Sequence, residues 1–389
     1  MRIFEILGAS ANSALPLNET WRRNLYEPLV DLGHDVFLLP ADEGGRALRR
    51  DSSRLAARFT SKLVDTFRRE HAKKPFDLVF AYLIDGMVDA QGIADLKRYG
   101  VPLCNFSCNN AHQFNLVSTL APLYDFNLHA EKDAASKFRA VGANPVWWPM
   151  ASNPKYFRPM ALPRNVNASF VGGNYGVRAR LARRLLDEGI DLQVYGPGWR
   201  WGASTRLRSA AKHWAYRVRA ATGNDTTKAR WRAELCEHDV RQRLGSRYPD
   251  HVHAPVSDEE LIALYSKSRL SLGILDVHDG HDPTKQVLQH MHLREFEAPM
   301  CGALYLTGFT DELAECFEPD SEVLVYRDIG ELIDKTRFYL RNPEAGERIR
   351  HAGRRRALSD HTYHQRFEQL FSRIGLQTCH PKIAYSSPS

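Results

Sequence analysis

The chain has 389 residues, which is enough for two or three domains with sizeable buried cores. Hydrophobic residues make up 43% and charged residues 25%, with 25 Gly and 20 Pro, a globular composition that excludes a disordered or fibrous protein. The net charge of +7 sits in one segment, because residues 200–249 carry twelve Lys/Arg against four Asp/Glu. The rest of the chain is near neutral, and this argues against nucleic acid as a partner.

In chain order, residues 2–7 read as a strand and 19–32 as a helix stopped by Gly33. A strand at 35–39, a helix at 51–71 and strands at 77–82, 102–106 and 125–128 follow, with helical stretches between them. Strand alternating with helix predicts a parallel sheet covered on both faces. Residues 149–163 carry four prolines and no periodicity, which predicts a linker over 151–164 between domains at 1–150 and 165–374.

The rhythm then restarts. Strands are predicted at 168–171, Leu192–Tyr195, 270–274, 303–307 and 323–326, and helices at 177–188, Asp258–Lys267, 331–341 and 363–374. Ser257 with Glu260 forms a capping-box pattern ahead of the helix at Asp258–Lys267. Residues 375–389 read as a tail. The expected fold is α/β: two doubly wound Rossmann-like domains facing across a cleft, with ligands beyond the carboxyl ends of the strands.

In the basic insertion, Leu207, Ala210, Ala211, Trp214, Ala215 and Val218 share one face at helical spacing. Arg206, Arg208, Lys212, Arg217 and Arg219 lie mostly away from it. Such a helix either packs its stripe on the domain or lies on an anionic membrane surface, so 206–219 is the expected place for any peripheral membrane contact.

Six dilute cysteines without a Cys-x-x-Cys pair, no signal-like start and no uncharged run of 18 apolar residues predict a soluble, reduced, cytoplasmic protein. The His and Asp residues of 276–292 are interrupted by Pro283 and fit no zinc pattern, so no metal and no cofactor are expected.

Two stretches carry chemistry. Phe170-Val-Gly-Gly-Asn-Tyr-Gly-Val-Arg178 is a strand, a glycine turn and the start of a helix, where backbone N–H groups of Gly172, Gly173 and Asn174 can approach a phosphate. Arg178 or Arg180 would add a guanidinium fork to a diphosphate. The same run also serves as a plain tight connection, and it is not the Gly-x-Gly-x-x-Gly fingerprint. The second stretch, 292–307, runs from His292-Leu-Arg-Glu-Phe-Glu297 through Gly302 into an apolar strand. Glu297 at the sheet mouth suits two ribose hydroxyls, or else complements the helix dipole beside Arg294.

Glu297-Ala-Pro-Met-Cys-Gly-Ala-Leu-Tyr-Leu-Thr307 resembles the Glu-Ala-x-x-x-Gly signature of group-1 (GT4-like) GT-B glycosyltransferases. Arg294-Glu-Phe-Glu297, Asp360-His-Thr-Tyr-His-Gln-Arg366, Ser257-Asp-Glu-Glu-Leu, Tyr124-Asp-Phe-Asn and Phe170-Val-Gly-Gly look like the CgeB-like (spore maturation protein CgeB) branch. The resemblance implies retaining, metal-independent sugar transfer from a nucleotide-diphospho-sugar to a glycan, glycolipid or small glycoside, as in polysaccharide biosynthesis. It assigns the donor to 165–374 and the acceptor side to 1–150.

The same resemblance implies that Gly172, Gly173, Asn174, Arg178 and Glu297 bind the nucleotide-sugar and that Arg294 acts in catalysis. His292 joins the nucleotide-sugar residues as a neighbour of Gln289, and His112, projecting from the N-terminal sheet into the cleft, is expected as a catalytic residue that positions the acceptor hydroxyl or the sugar. His112 is equally readable as a hydrogen-bonded structural histidine. Gln289 stands where group-1 enzymes often carry a second Glu, a role open to Asp282, His290 or His292. Asn109-Asn110 stand where CgeB-like chains often have an acidic pair. Two alternatives remain at this point: a UDP-sugar 2-epimerase, and a non-catalytic nucleotide-sugar-binding protein of the same fold.

Overall fold

The computed structural model describes residues 1–8, 17–200, 203–222 and 224–376. The tail beyond 376 and most of the glycine turn after the first strand lie outside the described residues. The chain divides into two compact units, Met1–Asn153 with the segment from His361, and Pro154–Asp360.

The first unit holds β1 (Arg2–Gly8), β2 (Asp35–Ala41), β3 (Leu78–Tyr82), β4 (Leu103–Ser107), β5 (Phe126–His129) and β6 (Pro145–Trp147). They form one parallel sheet in the order β2-β1-β3-β4-β5-β6. Its strands bury apolar side chains on one face against the helix Ser53–Lys73, through Phe4, Ile6, Val79, Phe59, Leu63 and Phe67.

The helix expected over 19–32 is present but not regular. Leu17–Trp21 and Glu27–Asp31 are α-helical, and Arg22–Tyr26 between them is a π-turn in which the Glu27 N–H bonds the Arg22 carbonyl. Pro28 has no N–H to continue the α ladder through this turn, which accounts for the wider register.

The last helix, Tyr363–Arg373, was expected to close the second domain and instead completes the first unit. Phe367 packs on Trp148 and Phe80, with ring centroids 5.3 and 5.2 Å apart. The buried Arg366 guanidinium donates to the carbonyls of Pro149 and Met150. Ser152 and Thr362 form a parallel bridge, through Ser152 N–H to the His361 carbonyl and Tyr363 N–H to the Ser152 carbonyl. Amphipathic spacing predicts the helix but carries no information on which sheet its apolar face covers.

The second unit contains β7 (Val166–Val171), β8 (Leu192–Tyr195), β9 (Val252–His253), β10 (Ser268–Leu272), β11 (Asp276–His278), β12 (Val287–Gln289), β13 (Tyr305–Gly308) and β14 (Leu324–Tyr326). Six of them form a parallel sheet, β14-β13-β10-β7-β8-β9, while β11 and β12 make a separate antiparallel pair. Counted within the unit, this is the 3-2-1-4-5-6 order of dinucleotide-binding sheets, and its direction reverses between β7 and β10. Phe170, Leu192, Leu270, Leu306 and Leu324 form the sheet's core with Ala182 and Leu185 of the helix Arg178–Asp187.

The basic insertion is a pair of helices, Ala203–Thr222 and Asp225–Arg247. The second was not predicted, because its few apolar residues fall on no common face. The predicted stripe is not the packed face: Trp214 is 69% and Val218 38% exposed, and it is Tyr216 that meets Trp231 across the pair at 5.1 Å. The side chains of Arg206, Leu207, Arg208 and Ala210 lie outside the described residues.

Candidate functional site

The carboxyl ends of β7, β8, β10 and β13 are joined into one polar rim. The loop after β7 leans on the loop after β8. Gly172 N–H donates to the Tyr195 carbonyl (2.8 Å), Asn174 N–H to Pro197 (2.9 Å) and the Trp199 indole to Gly172 (2.6 Å). Gly196 allows this approach at φ +140°, since a Cβ there would lie 2.3 Å from the Gly172 carbonyl oxygen.

Arg178 spans the point where strand order reverses. Its guanidinium is buried, donates to the carbonyls of Gly173 after β7 and Ile274 after β10 (both 3.1 Å), and stacks on Tyr175 at 3.9 Å. Its Nη2 also lies 3.4 Å from His292 Nε2. Arg178 therefore fixes the glycine loop and His292 relative to β10, rather than extending as a free fork.

The helix Arg294–Met300 supplies the acidic groups. Glu295 is 1% exposed and accepts from the His292 N–H, the Tyr305 hydroxyl (2.8 Å) and the Thr307 hydroxyl (3.3 Å). Burial raises its carboxyl above the usual range, and these hydrogen bonds oppose that. Gly273 makes room for this cluster, because a Cβ would fall 2.3 Å from Thr307 Oγ1 and 2.4 Å from the Tyr305 oxygen.

Glu297, 4% exposed, is pushed up to about 8 by burial, against the attraction of the neighbouring Arg294. The Arg294 Nε and the Tyr265 hydroxyl are both buried without a hydrogen-bond partner among the described residues.

Sequence reasoning singled out Gln289 as a missing carboxylate, and the structure puts one beside it. The β11–β12 pair brings Asp276 Oδ1 to 3.3 Å from Gln289 Nε2, and Gln289 in turn lies against Gly308 at the end of β13. Burial raises the Asp276 carboxyl, against the hydrogen bond from Gln289. The available signal was the break at Pro283, which marks the turn of this hairpin.

Gly172, Gly173, Asn174, Arg178, His292, Arg294 and Glu297 thus share one rim on the second unit. His112 belongs to the first. It is 6% exposed, in the short helix Asn110–Gln113 after β4. That turn is clamped by Glu131, whose two carboxylate oxygens accept the N–H groups of Asn109 (2.8 Å) and Asn110 (3.0 Å), with Asn109 at φ +64°. A carboxylate does lie near Asn109-Asn110, but it comes from the loop after β5.

Among the described residues, the group whose atoms could jointly hold a metal is His213, His238 and Asp239, between the insertion helices. It includes none of the His and Asp residues of 276–292.

The sequence model of the family described as "Glycosyl transferase-like" matches residues 178–372, half of the chain. The chain belongs to this glycosyl transferase-like family. Its fold is similar to sucrose-phosphate synthase from Thermosynechococcus elongatus, at TM-score 0.59 and 14% identity over 96% of this chain and 99% of that one. It is also similar to Anabaena HepE in complex with UDP (0.56, 10%, 96% and 100%) and to AviGT4, a glycosyltransferase involved in avilamycin A biosynthesis (0.56, 14%, 96% and 96%). HepE has also been crystallised with UDP-glucose. No curated protein matches the chain in sequence.

The fold is accordingly of the GT-B glycosyltransferase class, with two parallel-sheet α/β domains. No helix among the described residues is long and apolar enough to cross a membrane.

Proposed function

We propose that the protein is a CgeB-like glycosyltransferase that moves a sugar from a nucleotide-diphospho-sugar to a hydroxyl acceptor (a glycan, glycolipid or small glycoside), with retention of configuration and without a metal. The observation that carries this reading is the convergence of the glycine loop, Arg178 and His292 at the strand-order reversal of the second sheet, with Arg294 and Glu297 on the helix that follows His292, in a member of this family. The UDP and UDP-glucose complexes of HepE support a nucleotide-sugar donor.

In this reading Glu297 takes the ribose hydroxyls, and the backbone N–H groups of 172–174 face the diphosphate. Arg294 balances charge as the bond from the anomeric carbon to the phosphate oxygen breaks. The acceptor oxygen bonds to the anomeric carbon, and its proton passes to the departing phosphate. His112 orients the acceptor hydroxyl, and Asp276 with Gln289 holds sugar hydroxyls. Exposed Trp214 and Val218 beside basic residues support peripheral contact with anionic lipid. If that contact exists, Trp214→Ser weakens co-sedimentation with phosphatidylglycerol vesicles; unchanged sedimentation discards it.

A thermal-shift panel of UDP, GDP, dTDP, CMP and ADP, with and without Mg²⁺, tests the donor. At 100 times its dissociation constant, a ligand adds ~2.7 kcal/mol to the native state. One nucleoside diphosphate should shift the wild type regardless of Mg²⁺ and shift Glu297→Ala far less. No shift with any of them overturns the proposal. NMR of the product's anomeric coupling then reads retention directly.

Asp276→Asn should leave nucleoside diphosphate affinity unchanged and lower turnover by about 10–100-fold, the ~1.5–3 kcal/mol of a hydrogen bond to a charged group. Its raised carboxyl sets a sign for pH as well. The ionised form is lost as pH falls through a value above that of an ordinary Asp, so the acid limb of kcat is displaced upward from the ordinary Asp value and disappears in the variant.

A further inference from the structure

The opposite end of the second sheet, at the amino ends of its central strands, holds a cavity of about 860 Å³ that the donor reading does not use. Arg164 precedes β7, Arg269 is the second residue of β10 and Gly302 precedes β13, and all three line it. These strands are neighbours in a fully parallel sheet, so the cavity opens at their amino ends. It lies about 16 Å, one strand length, from the rim at the carboxyl ends.

Its charge is unbalanced. Arg164, Arg269, Arg341, Arg350 and Arg354 line it against a single carboxylate, Glu347. That carboxylate is shared, lying 2.9 Å from Arg164 and 3.3 Å from Arg350. Arg269, Arg341 and Arg354 have no carboxylate partner among the described residues, and the Arg354 Nε is buried without a hydrogen bond.

Arg350 forms the floor and is 4% exposed. Its Nη atoms donate to the carbonyls of Gly302 and Arg269 (both 3.1 Å), while its buried Nε pairs with the shared Glu347 carboxylate at 3.3 Å. Burial, and then the charge of Arg164, push its guanidinium down to about 10, against the opposing pull of Glu347. Pro159, Leu162 and Leu340 add apolar wall. A buried cation pinned under four more guanidinium groups is costly on its own and is relieved by a multivalent anion. Guanidinium forks match phosphate oxygens best.

We infer that this amino-edge cavity binds a diphosphate or longer phosphate chain, as a site separate from the donor rim. The inference does not rest on the donor reading. Calorimetric titration of the full chain with tripolyphosphate tests it, with Arg269→Glu/Arg341→Glu and Glu297→Ala as variants and matched melting curves to establish folding. Expected are saturable binding by wild type that weakens with salt, a loss of about tenfold or more in the double variant, and no loss in Glu297→Ala.

Should the double variant prove unfolded, Arg341→Gln alone serves, with a smaller loss in the same direction. Absence of binding, equal binding by the double variant, or loss in Glu297→Ala each overturns the site. A parallel titration with phosphatidylcholine vesicles carrying diacylglycerol pyrophosphate separates a lipid-borne diphosphate from a free one. Tighter binding there assigns the ligand to lipid, and equal or weaker binding to the free anion.

Discussion

Gly196→Ala should destabilise the second unit by about 3–5 kcal/mol and abolish nucleoside diphosphate binding. The added Cβ would sit 2.3 Å from the Gly172 carbonyl oxygen and 2.7 Å from its carbon, both backbone atoms that no side-chain rotation can move. Relief requires separating the loops after β7 and β8, and with that goes the Gly172–Tyr195 hydrogen bond and the Trp199 bond to Gly172. Gly189→Ala is the matched control. It also stands at positive φ, +76°, but has nothing within 4 Å of a Cβ, so it should cost only the ~1–2 kcal/mol of left-handed backbone. Hydrogen exchange at Gly172 and Asn174 separates the two. Equal effects from both variants would mean that the loop contact contributes nothing.

Replacing Glu5 should do the reverse and stabilise the first unit. Glu5 lies in the middle of β1, in register with Leu38 of β2 and Phe80 of β3, is fully buried, and neither carboxylate oxygen has a hydrogen-bond partner among the described residues. Burial raises its carboxyl well above the usual range. A carboxyl raised on folding costs least below its unfolded value near 4.5, and that advantage is lost as pH rises through the folded value. Wild-type stability should therefore fall from pH 5 toward alkaline pH. Glu5→Gln should flatten that fall, and Glu5→Met should add about 2–4 kcal/mol near pH 8, where the unfolded chain gains most from an ionised, solvated carboxylate that the buried site disfavours. Denaturant titrations at pH 5 and pH 8 read both. A wild-type curve that rises with pH would refute the account.

The parallel α/β rhythm, the Ser257–Glu260 capping box and the loops that gather at the second sheet's rim were legible in the sequence. Each depends on residues close together along the chain. What was not legible depends on distant residues meeting. Asp276 reaches Gln289 only through a hairpin, and the Glu131 clamp on Asn109 joins loops after two different strands. Arg178 read as a phosphate fork because its position at a helix start suits one. Its actual partners, two carbonyls about a hundred residues apart, appear only once β7 and β10 are adjacent. The five arginines of the amino-edge cavity, spread from 164 to 354, form no motif at all.

The chain leaves the first unit at Asn153 and rejoins it at His361, so the second unit is an insertion within the first. This sets the order of events on the ribosome. When Trp148 and Phe80 emerge, the helix carrying Phe367 is about two hundred residues from being made, a wait of about 10–40 s at ordinary elongation rates. The N-terminal unit is thus the last to be finished. Its aromatic face stays uncovered while the inserted unit is synthesised, and a chain that stops before residue 361 leaves Trp148 and Phe80 without the helix that carries Phe367.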